Sequence, residues 1–310
     1  MSKLLVVFGA TGQQGGSVIN SVVNDPELSK IYKVRGVTRD PSAANAQALQ
    51  QKGVEVVKGD ADDHESLKRA LQGAHTVFIV TVTIYDALIK LREFAQGKAI
   101  ADIAVAAGAQ YLIFSTLPDA TTIAKGAVSN LLSFDVKFEI EEYIRTLPIK
   151  SAFFAPGTFM QNFVTFSSPQ PAGDGTYSTV SVVSPTAKFP LIDITGDTGK
   201  FVGAILAEPD KYEGKVFCAA TKFYTQAEIA QELSKATGKT VKYQQVPVEV
   251  FKGFLPPGSG ETMVAMLQYI QDYGGYGPQS KELVEWSVQN ARGKLSTFDE
   301  FLARQNYTLQ

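Results

Sequence analysis

Through the first 155 residues, short apolar runs alternate with longer stretches in which apolar positions recur every three or four residues. The runs, at 4–8, 33–38, 54–58, 76–81, 111–115 and 150–154, are rich in Val, Ile and Phe and do not alternate with polar residues. Strands read this way when helices cover both faces of a parallel sheet. The pattern therefore predicts an α/β fold with a doubly wound parallel sheet of Rossmann type. Chemical signals bound the helical stretches. Over 62–71, Asp62 is placed to cap the first turn, Glu65 stands three residues on, and Gly73 supplies a left-handed stop. Thr225 with Glu228 and Thr297 with Glu300 fit the reciprocal capping box, the first of these helices ending at Gly238.

Beyond Phe154 the alternation decays into Pro and Gly clusters at 169–175, 254–260 and 273–278. This divides the chain into a first domain over 1–155 and a smaller mixed α+β domain over 156–310, some of whose segments return to the main sheet. The smaller domain is expected beside the carboxyl edge of that sheet, where open α/β proteins bind their ligands. The loop 254–260 reads as an ordinary surface connection, with a lid over the crevice as the alternative.

Composition narrows the classes. The 310 residues are 45% hydrophobic and 19% charged, proportions of a folded globular protein rather than a disordered one. Twenty-nine Lys and Arg stand against 31 Asp and Glu, a net charge of −2 with no dense basic run, which disfavours direct binding to nucleic acid. The longest apolar stretches fall far short of the ~20 residues of a membrane-spanning helix. The N-terminus runs straight into the first strand without room for a signal peptide. The expectation is a cytoplasmic protein with no membrane partner; no basic cluster marks nuclear entry, which stays open. One cysteine, Cys218, and two histidines, His64 and His75, argue against a metal site. Cys218, within 215–220, reads as a small buried apolar residue.

The chemistry begins directly after the first strand. Gly9, Gly12 and Gly15 recur at every third position through Gly9-Ala10-Thr11-Gly12-Gln13-Gln14-Gly15-Gly16 and open a helix running through Val23. Glycines let backbone amides approach a pyrophosphate, and the helix start offers unpaired N–H groups and partial positive charge. A dinucleotide is the natural ligand of such a turn. Gly9 and Gly12 are separated by two residues rather than one, a spacing similar to that of the short-chain dehydrogenase superfamily. The second strand ends in Val37-Thr38-Arg39-Asp40, where an NAD site usually places a carboxylate on the ribose 2′-hydroxyl. Arg39 instead suits charge-assisted bonds to a 2′-phosphate, which favours NADP; the alternative is that Arg39 pairs with a surface carboxylate and Asp40 takes the ribose. The third strand ends in Lys58-Gly59-Asp60-Ala61-Asp62, where Asp60 is suited either to the adenine amino group or to capping the next helix.

Together these residues resemble the NmrA-like family, atypical members of the short-chain dehydrogenase superfamily. The matching pieces are the glycine turn from Val7 through Val18, Val37-Thr38-Arg39, Val57-Lys58-Gly59-Asp60, and Phe134-Asp135-x-Lys137-x-x-Ile140-Glu141-Glu142-Tyr143. The likeness continues through Phe159 to Asn162 and fades in the last hundred residues. It implies an NADP-binding fold whose founding members are redox-sensing regulators, including regulators of transcription, that bind other proteins. Relatives of the isoflavone reductase kind are NADPH-dependent reductases. In such proteins the cofactor is held by residues matching Gly9, Ala10, Thr11, Gly12, Gln13, Gln14, Arg39, Asp60, Thr81, Lys137, Phe159, Met160, Gln161 and Asn162, and Gly15, Thr38 and Ala61 stand beside them. Human-type members carry a lysine where this chain has Ala95, a departure. The resemblance is also compatible with a homodimer.

Typical short-chain dehydrogenases place a proton-transferring tyrosine four residues before a lysine. Lys137 fits the lysine, but Ser133 stands where the tyrosine would, and Tyr-x-x-x-Lys occurs nowhere in the chain. Ser115, ending the fifth strand, occupies the region of the superfamily's catalytic serine. Val136, Ile140, Tyr143 and Ile144 form the buried stripe of the Lys137 helix, so Lys137 flanks it near the sheet; the bland alternative is a surface ion pair with Glu141. Two functions follow. The first, favoured by the missing tyrosine, is an NADP(H) sensor acting through a regulatory protein partner. The second is an NADPH-dependent oxidoreductase, with Lys137 as its acid or base, reducing a small apolar carbonyl or enone in a crevice lined by Tyr85, Phe159 and Phe163.

Overall fold

A computed structural model describes residues 2–128, 131–256 and 258–309. Six strands, β1 (Lys3–Val7), β2 (Tyr32–Thr38), β3 (Glu55–Lys58), β4 (Thr76–Ile79), β5 (Tyr111–Ser115) and β6 (Lys150–Pro156), lie where the apolar runs predict them. With Val216–Ala219 they form a seven-stranded parallel sheet in the order Val216–Ala219, β6, β5, β4, β1, β2, β3. This is the doubly wound order, with the chain turning back between β1 and β4.

Side chains alternate between the faces of each strand, which explains why the runs are apolar throughout. Leu5 and Val7 enter one core with α1 (Gln13–Asn24) and the helix Ile194–Ala207. Val6 and Phe8 enter the opposite one, with Ile100 and Ala104 of the helix Ile89–Ala106 and Val136, Ile140 and Ile144 of the helix Leu132–Thr146. Tyr143 is the exception in that stripe: it is only partly buried, and its hydroxyl bonds Lys98 and Asp102 on the helix surface.

A third core, containing Phe189, Leu191, Tyr269, Phe298 and Phe301, is built mostly from the later part of the chain, with Ala120, Ala124, Leu131 and Phe134 entering it from before β6. There two three-stranded sheets form, one of Lys222–Thr225, Lys188–Ile192 and Thr158–Phe159, the other of Val241–Gln245, Tyr177–Ser181 and Gln170–Pro171. Both predicted capping boxes are present, at Thr225 with Glu228 and at Thr297 with Glu300. One cap is corrected. Asp63, not Asp62, caps the helix His64–Leu71, accepting from the N–H groups of Glu65 and Ser66 at 3.1 Å each, while Asp62 takes the Gln96 amide. The segment 254–260 links the helices Val248–Lys252 and Gly260–Tyr273, and Pro257 within it lies outside the described residues.

Candidate functional site

Because the sheet is parallel, every strand ends at the same edge, and residues just past those ends gather there wherever they lie in the sequence. The glycine turn follows β1, Thr38 and Arg39 end β2, and Asp60 and Ala61 follow β3. Thr81 follows β4, Ser115 ends β5, and Phe159 to Asn162 follow β6.

The turn is as tight as the glycine spacing implies. Gly9 adopts φ +62°, and a Cβ on Gly15 would stand 2.3 Å from the Gly9 carbonyl oxygen and 2.8 Å from that of Phe8. Ala10 is fully buried and donates its N–H to Val37 O at 3.2 Å, tying the turn to β2. Gly12 begins α1 with no side-chain cap, and no acidic residue stands in the first turn. Gly12, Gln13 and Gly9 are exposed, and Thr11 and Gln14 partly so. An uncapped, exposed helix start with no acidic residue in its first turn presents N–H groups and partial positive charge to an anion. Ser115 Oγ donates to Gln14 Oε1 at 2.7 Å, so the superfamily's serine position here steadies the turn.

Arg39 is exposed, and among the described residues no carboxylate lies within ion-pairing distance of it. Asp40 turns away: its carboxylate accepts from Ser42 Oγ at 2.5 Å and Ser42 N at 2.9 Å, bonds that lower its pKa. A cation without a partner thus stands at the end of β2. Asp60 accepts from Asp62 N at 3.1 Å and is partly buried, and Ala61 packs against the sheet core.

Lys137 lies on the inner side of its helix, with its side chain 12% exposed. It does not pair with Glu141, which takes Arg145 at 2.6 Å. Its ammonium instead pairs with Glu93, whose side chain is 2% exposed, and donates to Thr81 Oγ1 at 2.9 Å. Thr81 Oγ1 in turn donates to Glu93 Oε1 at 2.6 Å, and Thr83 Oγ1 to Oε2 at 2.9 Å. Burial lowers the pKa of Lys137, and the Glu93 charge opposes that shift. Ser133, in the tyrosine position, is buried.

The sequence reading missed Glu93. Its signal was present: Ile89, Glu93, Gly97, Ile100 and Ala104 are the buried stripe of the helix Ile89–Ala106, so one charge stands among apolar positions at helical spacing. The residues after β6 differ in exposure and partners. Phe163 is no crevice wall, being 9% exposed and packed edge-to-face on Phe298 at 5.6 Å. Met160 is fully buried in the third core. The Gln161 amide is committed to Asp193 at 2.6 Å and Thr195 at 2.9 Å. Phe159 and Asn162 remain partly exposed, and Tyr85 is 66% exposed. Cys218 is buried, and burial pushes its thiol up to about 12.

The sequence from residue 1 to 302 matches the NmrA-like family. An NmrA-like family domain-containing protein of Dictyostelium discoideum is 30% identical across the whole of both chains. The NmrA-like family domain-containing oxidoreductase FrzB of Cladobotryum sp is 32% identical, over 79% of this chain and 77% of that one. The fold is similar to that of NmrA, a negative transcriptional regulator solved in complex with NADP, with TM-score 0.81 and 23% identity over 97% of this chain and 94% of that one. It is also similar to that of the Citrobacter sp. triphenylmethane reductase solved with NADP(H), with TM-score 0.76 and 23% identity over 99% and 100%. The chain belongs to the NmrA-like family.

Proposed function

We infer that this protein binds NADP(H) at the carboxyl edge of its sheet and is an NADPH-dependent reductase of a small apolar carbonyl or enone. The residues fit a dinucleotide. A Cβ-free cradle at Gly9 and Gly15 and the uncapped start of α1 suit a pyrophosphate, and the unpartnered Arg39 suits a 2′-phosphate. Thr38, Asp60 and Ala61 would flank the adenosine, with Thr81, Lys137, Phe159 and Asn162 toward the other end. Bound NADPH supplies a hydride. The chain's own part is to hold a proton at Lys137 Nζ and to shelter it from water. The observation that carries turnover is this buried cluster: a lysine whose pKa burial lowers, held by Glu93 and Thr81 at the ligand-binding edge, is a group suited to acid–base work.

A second reading, an NADP(H) sensor acting through a protein partner, draws on the exposed apolar run of Val82, Ile84, Tyr85, Leu88 and Leu91 that follows Thr81. Such a surface suits a partner's apolar side chains. NADPH consumption against a panel of aromatic ketones and enones separates the two. Turnover abolished in Lys137→Ala, with NADP binding retained, supports the reductase. Tight binding without turnover of any member of the panel refutes it and favours the sensor.

A further inference from the structure

We propose that Glu93 is the positioning residue for Lys137: it fixes the ammonium at the sheet edge and is its counter-ion there. The proposal rests on the reading that Lys137 faces the dinucleotide and substrate. The geometry leaves Glu93 little freedom. Oε1 takes both the Lys137 ammonium and Thr81 Oγ1, and Oε2 takes Thr83 Oγ1, so two threonines aim a carboxylate that is itself almost wholly buried. Lys137 Nζ also reaches Thr81 Oγ1 and, at 3.5 Å, Thr81 O. The ammonium is thereby held between two residues, Glu93 on the helix Ile89–Ala106 and Thr81 just past β4. Other charges near its helix are paired elsewhere, Glu141 with Arg145 and Glu139 with Lys90, while Asp135 binds Thr121.

A buried ammonium with one counter-ion depends on it. Without Glu93 no opposite charge offsets the cost of burial, and the lysine loses its proton at lower pH. Glu93 thus decides whether Lys137 meets a ligand as a proton donor or as a neutral amine.

The test is a titration of the cofactor-free protein carrying ¹³Cε-lysine, with the Lys137 resonance assigned through Lys137→Met. In Glu93→Gln the Lys137 midpoint is expected to fall by about one pH unit or more, and Glu93→Asp, which restores the charge, to bring it part of the way back. A midpoint unmoved by Glu93→Gln overturns the proposal. Should that variant fail to fold, the wild type carries the test: the Glu93 carboxyl carbon must inflect at the Lys137 midpoint, and a flat resonance through that range overturns it equally. Adding NADP to the same wild-type sample tests the underlying reading separately, because a Lys137 resonance insensitive to NADP removes the lysine from the cofactor site without touching its pairing with Glu93. Once a substrate is in hand, the basic limb of the kcat profile moves to lower pH in Glu93→Gln while KM changes little.

Discussion

Gly15 and Gly16 are neighbours in α1, yet alanine should act on them in opposite directions. At Gly15 the added methyl would lie 2.3 Å from Gly9 O, 2.6 Å from Gly9 C and 2.8 Å from Phe8 O, all backbone atoms of the turn. Ordinary contact begins at 3.4 Å, so turn and helix must separate by roughly 1 Å. Overpacking of this kind costs about 1–3 kcal/mol, and Tm falls by roughly 2–4 °C per kcal/mol. The same displacement pulls the α1 amides off a bound pyrophosphate. Losing one such charge-assisted bond costs about 1.5–3 kcal/mol, or roughly 10- to 100-fold in NADP affinity. At Gly16 the methyl would meet Ala10 O at 3.5 Å, an ordinary contact, and alanine in a helix interior gains about 0.5–1 kcal/mol. Thermal unfolding and calorimetric titration of the two variants with NADP make the comparison. Equal effects on stability and on affinity would refute the close approach of α1 to the turn.

Other consequences lie further from the turn. A Cβ on Gly199 would stand 2.4 Å from both Ser17 O and Ser21 Cβ, where the helix Ile194–Ala207 crosses α1 and Gly199 N donates to Ser17 Oγ at 3.0 Å. Gly199→Ala should therefore lower stability by about 1–3 kcal/mol in chemical denaturation, and an unchanged midpoint would contradict the contact. Arg292 binds Asp25 at 2.6 Å and holds that carboxyl well below its usual range. A depressed carboxylate stabilises above its unfolded pKa near 4 and loses that contribution as pH falls through the folded value. The advantage of wild type over Asp25→Asn, about 1 kcal/mol or less, should be flat above about pH 5 and shrink below it; a difference independent of pH would refute the pairing.

How much the sequence discloses depends on whether a signal is local. The strands of the main sheet are legible because each is a short apolar run between helices, and the glycine turn because its demands are met within seven residues. Which aspartate caps the helix His64–Leu71 is not, since Asp60, Asp62 and Asp63 all precede it and the helix start decides between them by a single residue. Lys137 could be placed near the sheet from its helical stripe, but its partner lies 44 positions away, on the buried face that Glu93 shares with Ile89 and Gly97. The packing of Phe163 and the hydrogen bonds of Gln161 were not legible for a similar reason. Their partners, Phe298 and Asp193, come from later segments that fold back on the sequence after β6, and no local pattern announces that return.

Calorimetric titration of the wild type and Arg39→Glu with NADP and NAD asks whether the edge formed by the glycine turn and Arg39 holds NADP(H). The wild type should prefer NADP, and Arg39→Glu should weaken NADP by roughly 10- to 100-fold while NAD changes far less. Equal losses for the two dinucleotides would remove Arg39 from the 2′-phosphate, and no binding of either by the wild type would remove the dinucleotide from this edge altogether.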